Sequence, residues 1–149
     1  MKTLAMTLCV LATWSLAAAE IPEGTWVKRE GGVRMTMTVE RSAGATRITY
    51  RMLGADGKPM NNMVMVVVTQ LDGKESPVLL NGKPSAETMA IRQVDSHHTA
   101  TVLKMDGKLF GTSKAELSTD SKTLTIENDI SFAAYNQQVG KTTEHWDRR

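Results

Sequence analysis

Apolar and polar residues alternate with a period of two along much of the chain. In VRMTMTVE, residues 33 to 40, Val33, Met35, Met37 and Val39 project to one side while Arg34, Thr36, Thr38 and Glu40 project to the other. That is the pattern of a strand with one buried face. TRITYRML places Thr46, Ile48, Tyr50 and Met52 on a common face, and TLTIE does the same with Leu124 and Ile126. The one stretch with a helical argument, PSAETMAIR, opens with a capping serine at Ser85 but soon runs into Thr- and Val-rich sequence.

Turn residues interrupt these runs at short intervals: EGG at 30 to 32, SAG at 42 to 44, Asp-Gly beginning at 56, 72 and 106, and TDSK at 119 to 122. Asp-Gly between alternating runs is a hairpin signal, because the tight turn needs positive φ, which glycine takes at no steric cost. The punctuation predicts about eight or nine strands. Without a crossover helix, consecutive strands pair antiparallel as a meander. The expected fold is therefore all-β, an antiparallel up-and-down barrel whose closure removes exposed edges. An antiparallel sandwich is the alternative.

Segment 63–68 departs from simple alternation. Met63, Met65 and Val67 share one face and Val64, Val66 and Val68 the other, so both are apolar and the pattern leaves open which points inward. In LFGTSKAEL, three small residues, Gly111, Ser113 and Ala115, lie on one face. They either leave room for a ligand or admit a neighbouring strand.

Residues 1–19, MKTLAMTLCVLATWSLAAA, carry one positive charge at Lys2, an apolar run and small residues at Ala17 and Ala19. They read as a signal peptide cleaved near Ala19/Glu20, the apolar run being shorter than the roughly 20 residues of a spanning helix. The expected location is the periplasm or the medium, with no membrane anchor after processing. Removal of this segment takes away Cys9, the single cysteine, and Lys2. Of 18 basic side chains 17 remain, against 16 acidic. The remainder, 20–149, has no disulfide and reads as one domain, large enough for a core of its own. Its scattered charges give no footprint for nucleic acid.

Both ends of this domain carry a resemblance. EGTWVKR, with Gly24 and Trp26 opening the first strand, and EHWDRR, closing the last, are similar to the lipocalin and avidin superfamily of calycin barrels. The resemblance implies that Trp26 plugs the bottom of the barrel and that Arg148 packs across it. A larger part of the chain, GADGKPM, LDGKESPVLLNGKPSAETMAIRQVD, DGKLFGTSKAELSTDSKTLTIEN and WDRR, resembles small exported bacterial lipocalin-like proteins of unassigned function. The helix that follows the barrel in extracellular lipocalins is not evident, nor is the helical lid of fatty-acid-binding proteins.

Methionine is the residue type that bears on function. Met35, Met37, Met52, Met60, Met63 and Met65 suit adaptable core packing, and the same adaptability suits a pocket for a flexible apolar molecule. The barrel interior of such a protein is just wide enough to be filled or to hold one small ligand. The first expectation is a binding protein for a small hydrophobic molecule, with Met35, Met37, Tyr50, Met52, Met63 and Met65 as the ligand-binding residues. The second is a solid barrel that contacts another exported protein, as inhibitor modules do. The third is a periplasmic Cu(I) protein, because MTM and MVM each place two soft thioethers on one strand face. No cofactor is implied, and no zinc spacing occurs around His97, His98 or His145. No nucleophile elbow is present, and Asp95, Ser96 and His97 are neighbours in sequence rather than convergent groups. No enzyme is expected.

Overall fold

The computed structural model describes residues 21–29, 34–132 and 138–149. The signal-peptide reading, the processing site and the EGG turn lie outside the described residues. Ten strands follow one another: β1 (Gly24–Lys28), β2 (Met35–Ser42), β3 (Ala45–Leu53), β4 (Pro59–Thr69), β5 (Asp72–Leu80), β6 (Lys83–Gln93), β7 (His98–Met105), β8 (Lys108–Leu117), β9 (Thr123–Ile130) and β10 (Gly140–Arg148). Each pairs antiparallel with its neighbour in sequence, and β1 returns to β10 with Trp26 opposite Arg148. The result is an all-β, up-and-down closed barrel, in which the closing pair leaves no sandwich edge.

Ten strands exceed the eight or nine expected from the punctuation. The least regular of them is β5, where the register shifts between Asp72 and Glu75 and again between Pro77 and Leu79. Such shifts erase the clean alternation by which a strand is recognised. PSAETMAIR, the stretch with a helical argument, lies within β6.

The turns follow local chemistry with one correction. Asp106 and Gly107, with φ of 49° and 74°, link Met105 to Lys108 as a two-residue hairpin. The Asp-Gly at 72 is not a hairpin turn. It opens β5, and the reversal before it is made by Gln70 and Leu71, with Leu71 itself at φ 57°. Leu71 pays the strain of that turn because its side chain packs against the core.

Period two sorts the residues as the alternation predicts. Val39, Ile48, Val67, Met89, Ile91, Leu103, Leu124 and Trp146 share one core cluster with Trp26. In β4 it is Met63, Met65 and Val67 that face inward. On the outer face, Val66 is nevertheless only 5% exposed, flanked by Thr49 and Leu79 on adjacent strands, whereas Val68, next to Arg47, is 44% exposed.

A bulge supplies an aromatic that alternation misses. Leu103 pairs with Gly111 and Lys104 with Leu109, so Phe110 is the extra residue and joins the core, fully buried. Gly111 resolves half of the question its small neighbours raised. A Cβ there would stand 2.5 Å from Ile130 Cδ1 and 3.2 Å from the Asp129 carbonyl oxygen, so the missing side chain admits strand β9.

The lower end of the barrel, where β1 begins, is laced shut. Trp26 is fully buried and its Nε1 donates to the Pro22 carbonyl at 3.4 Å. Arg148 is exposed and donates from Nη2 to the Glu23 carbonyl at 2.6 Å. Arg41 donates its backbone N–H to Glu23 Oε1 at 2.7 Å, and its guanidinium donates to the Ile21 carbonyl. The short segment ahead of β1 is thereby tied to β2 and to the end of β10.

Candidate functional site

The barrel interior is not filled along its length. A cavity of about 390 Å³ lies among the inward faces of the strands. Its wall includes Met35 and Met37 from β2, Tyr50 and Met52 from β3, and Met63 and Met65 from β4. Cross-strand register explains the convergence, since Met35 stands opposite Met52, Met37 opposite Tyr50 and Tyr50 opposite Met65. All six residues singled out from sequence therefore meet on one wall. Trp26 and Arg148 lie away from it, at the lower end.

The opposite wall comes from strands to which the sequence reading assigned no ligand role. Met89 and Ile91 of β6, Leu103 of β7 and Ile126 of β9 are its apolar part. Ser113 and Ala115 also line the cavity, which resolves the second half of the small-residue question: beyond Gly111, the small side chains do leave space. Asn128 lines the cavity too, and its signal was available, because extending the Leu124 and Ile126 face by two residues reaches it.

Polar groups on this wall are held by one another. Lys28 Nζ donates to Glu144 Oε1 at 2.8 Å, and Trp146 Nε1 donates to Glu144 Oε2 at 3.1 Å. Both members of the ion pair are largely buried, and both carboxylate oxygens have a donor, as a desolvated pair requires. Ser113 Oγ donates to Asn128 Oδ1 at 2.6 Å. The Tyr50 ring meets Trp146 edge-on, with centroids 6.4 Å apart and planes at 71°, a favourable aromatic arrangement. Burial first, then the negative charges of Glu144 and Glu87, push the Tyr50 phenol far above its ordinary range. Tyr50 is a neutral hydrogen-bonding group under any physiological condition.

Glu87 is the second carboxyl of the interior. It belongs to β6, alternates with the wall residues Met89 and Ile91, and is 1% exposed. Its Oε1 has no hydrogen-bond partner among the described residues. Desolvation raises its pKa from 4.5 to about 7. Nothing in the local alternation distinguishes this glutamate from an exposed one, because a charged residue on an inward face is read as a strand end or loop.

The remaining candidates do not converge. Asp95 accepts from the backbone N–H groups of His97 and His98 and contacts His98 Nδ1 at 2.7 Å, while His97 Nδ1 meets Ser96 Oγ at 2.9 Å. The carboxylate thus orients the histidine that does not touch the serine, so a relay through all three is not assembled. Among the described residues, no group of three His, Cys, Asp or Glu side chains is placed to hold a metal ion. Comparison of the chain with protein families, with curated proteins and with solved structures returns no match.

Proposed function

We propose that this is an exported lipocalin-like binding protein that encloses one small hydrophobic molecule in its barrel. The observation that carries the reading is the cavity of about 390 Å³ with Met35, Met37, Tyr50, Met52, Met63 and Met65 on one wall. That volume falls in the range of small-ligand sites, which are mostly apolar with a few placed polar groups. Thioether side chains change rotamer easily and accept varied apolar shapes, which favours a flexible ligand over a rigid one. The export assignment rests on the leader-like character of residues 1–19, and the family assignment on Gly24, Trp26 and the terminal WDRR.

The cavity supports this reading over a solid-barrel interaction module, which needs a filled interior. Native mass spectrometry of protein purified gently from its own host tests it directly. An added organic mass is the expected result. A copper adduct would replace the proposal with the Met-x-Met reading, and a bare chain that also takes up no apolar fluorescent probe would overturn it in favour of the interaction module. With the probe, saturable binding that disappears in Met37→Lys is expected, since Met37 lies in the wall.

A further inference from the structure

The charges inside the barrel bear on what kind of head group its ligand carries. Among the described residues, Lys28 and Glu144 stand in the cavity wall, and Glu87 on the face that continues it. Lys28 is already matched, its Nζ 2.8 Å from Glu144 Oε1, and the second oxygen of Glu144 is taken by Trp146 Nε1. A carboxylate ligand would have to break that pair and leave Glu144 unmatched in a desolvated site, which is costly. Glu87 is in the opposite condition. It is 1% exposed and its Oε1 has no partner among the described residues. A buried carboxyl oxygen without a donor is expensive to keep, and it asks for an explanation.

The surroundings of Glu87 are able to let a donor in. On its own strand the next inward residue is Met89, in the cavity wall, and its cross-strand partner is Met105. Both are unbranched thioethers that can swing aside at little cost. Glu87 shares the inward face of β6 with the wall residues Met89 and Ile91, and its negative charge, like that of Glu144, raises the Tyr50 phenol. Among the described residues, two carboxyls against one lysine leave this interior short of one positive charge whenever Glu87 is ionised.

We propose that the molecule held in the barrel is an apolar compound bearing a protonated amine, received by Glu87, the inward residue next to the wall residue Met89 on β6. The proposal rests on the ligand-binding reading given above. The cation completes the charge balance of the interior, and its N–H groups supply the donor that Glu87 Oε1 lacks. The chain as a whole carries a formal net charge of +2, so general electrostatic attraction gives a cation no advantage and a preference for one must come from the site.

The test is competition against a bound neutral apolar fluorescent probe by two compounds of equal chain length, decylamine and decanoate, at about pH 8, where both are charged. Decylamine is expected to displace the probe at a concentration about tenfold lower than decanoate, the low end of what a hydrogen bond to a charged group is worth. In Glu87→Gln, a substitution that keeps shape and removes charge, the preference is expected to vanish while the probe still binds. Equal or stronger competition by decanoate overturns the proposal but leaves the cavity reading standing, and so does a preference that survives in Glu87→Gln. If the native protein binds neither probe nor either decyl compound, the cavity reading fails and the proposal fails with it.

Discussion

The two ends of the barrel are built from the same alternation but put to different use. At the lower end, Trp26 packs with Val39 and Val67, which do not line the cavity, and the segment ahead of β1 is hydrogen-bonded across it. Toward the upper end, the inward positions hold Met35, Met52 and Met63 around open volume. Aromatic and β-branched residues lose little freedom on burial and fix one packing. Methionine retains several rotamers and tolerates change. Stability is thus concentrated where the chain closes, and adaptability where space remains.

The largest effect that would expose this difference is at Trp26. Trp26→Ala is expected to lose about 3–5 kcal/mol of unfolding free energy, the usual cost of emptying a large aromatic site, measured by urea titration. A value within the range of a surface mutation would show that the lower end does not carry the fold.

The two regions also answer pH in opposite directions. In Glu87 the folded-state pKa of about 7 stands above 4.5. Between those values the folded protein keeps a proton that the unfolded chain releases, so stability falls as pH rises through that window. The span corresponds to about 3 kcal/mol, and Glu87→Gln is expected to flatten it in denaturation curves taken from pH 4.5 to 7.5. The turns at the lower end contribute the reverse. Asp72 and Asp95 are held below the ordinary carboxylate range chiefly by backbone N–H groups of Lys74 and His97, and Asp120 by the Ser118 hydroxyl; Asp147, within β10, is lowered in the same way by Arg29. Their contribution is present above the unfolded-state pKa and is lost as pH falls through the lowered values. A slope in Glu87→Gln as steep as in the native protein would assign the high-pH loss to some other group.

A smaller effect is expected where β8 meets β9. Gly111→Ala forces Ile130 to move and crowds the Asp129 carbonyl, at a cost of about 1–3 kcal/mol, and should narrow the neighbouring cavity at Ser113. Smaller still, Met52→Leu or Met63→Leu conserves volume and should cost less than about 1.5 kcal/mol while changing probe affinity, because shape in the wall changes more than core stability. Removing the exposed Arg29–Asp147 pair, for which both side chains are about half exposed, should change stability by at most about 1 kcal/mol. A methionine substitution as damaging as Trp26→Ala would erase the distinction between the two ends.

Particular residues show where reading the sequence succeeds and where it stops. Met35, Met37, Tyr50, Met52, Met63 and Met65 could be assigned to one face because each lies in or beside a regular run, and register then brought those faces together. Asp106–Gly107 was legible for the same local reason. Asp72–Gly73 was not, since the residues are right for a turn but the neighbouring Gln70 and Leu71 make it. Phe110 escaped because a bulge adds one residue and reverses the side on which alternation would put it. Glu87 escaped because burial of a carboxyl depends on what stands across the interior, not on its sequence neighbours.

The sequence by itself determined that the chain is all-β, that consecutive strands pair antiparallel and which residues of each regular strand share a face, because a two-residue period and tight turns are local properties of the backbone. Only the tertiary structure decided that ten strands close on one another, that the interior retains about 390 Å³, and that Lys28 and Glu144 line that space while Glu87 is buried on the face beside it. Closure and cavity size depend on register summed around the whole ring, where each bulge shifts every strand that follows, and no single stretch of sequence contains that sum.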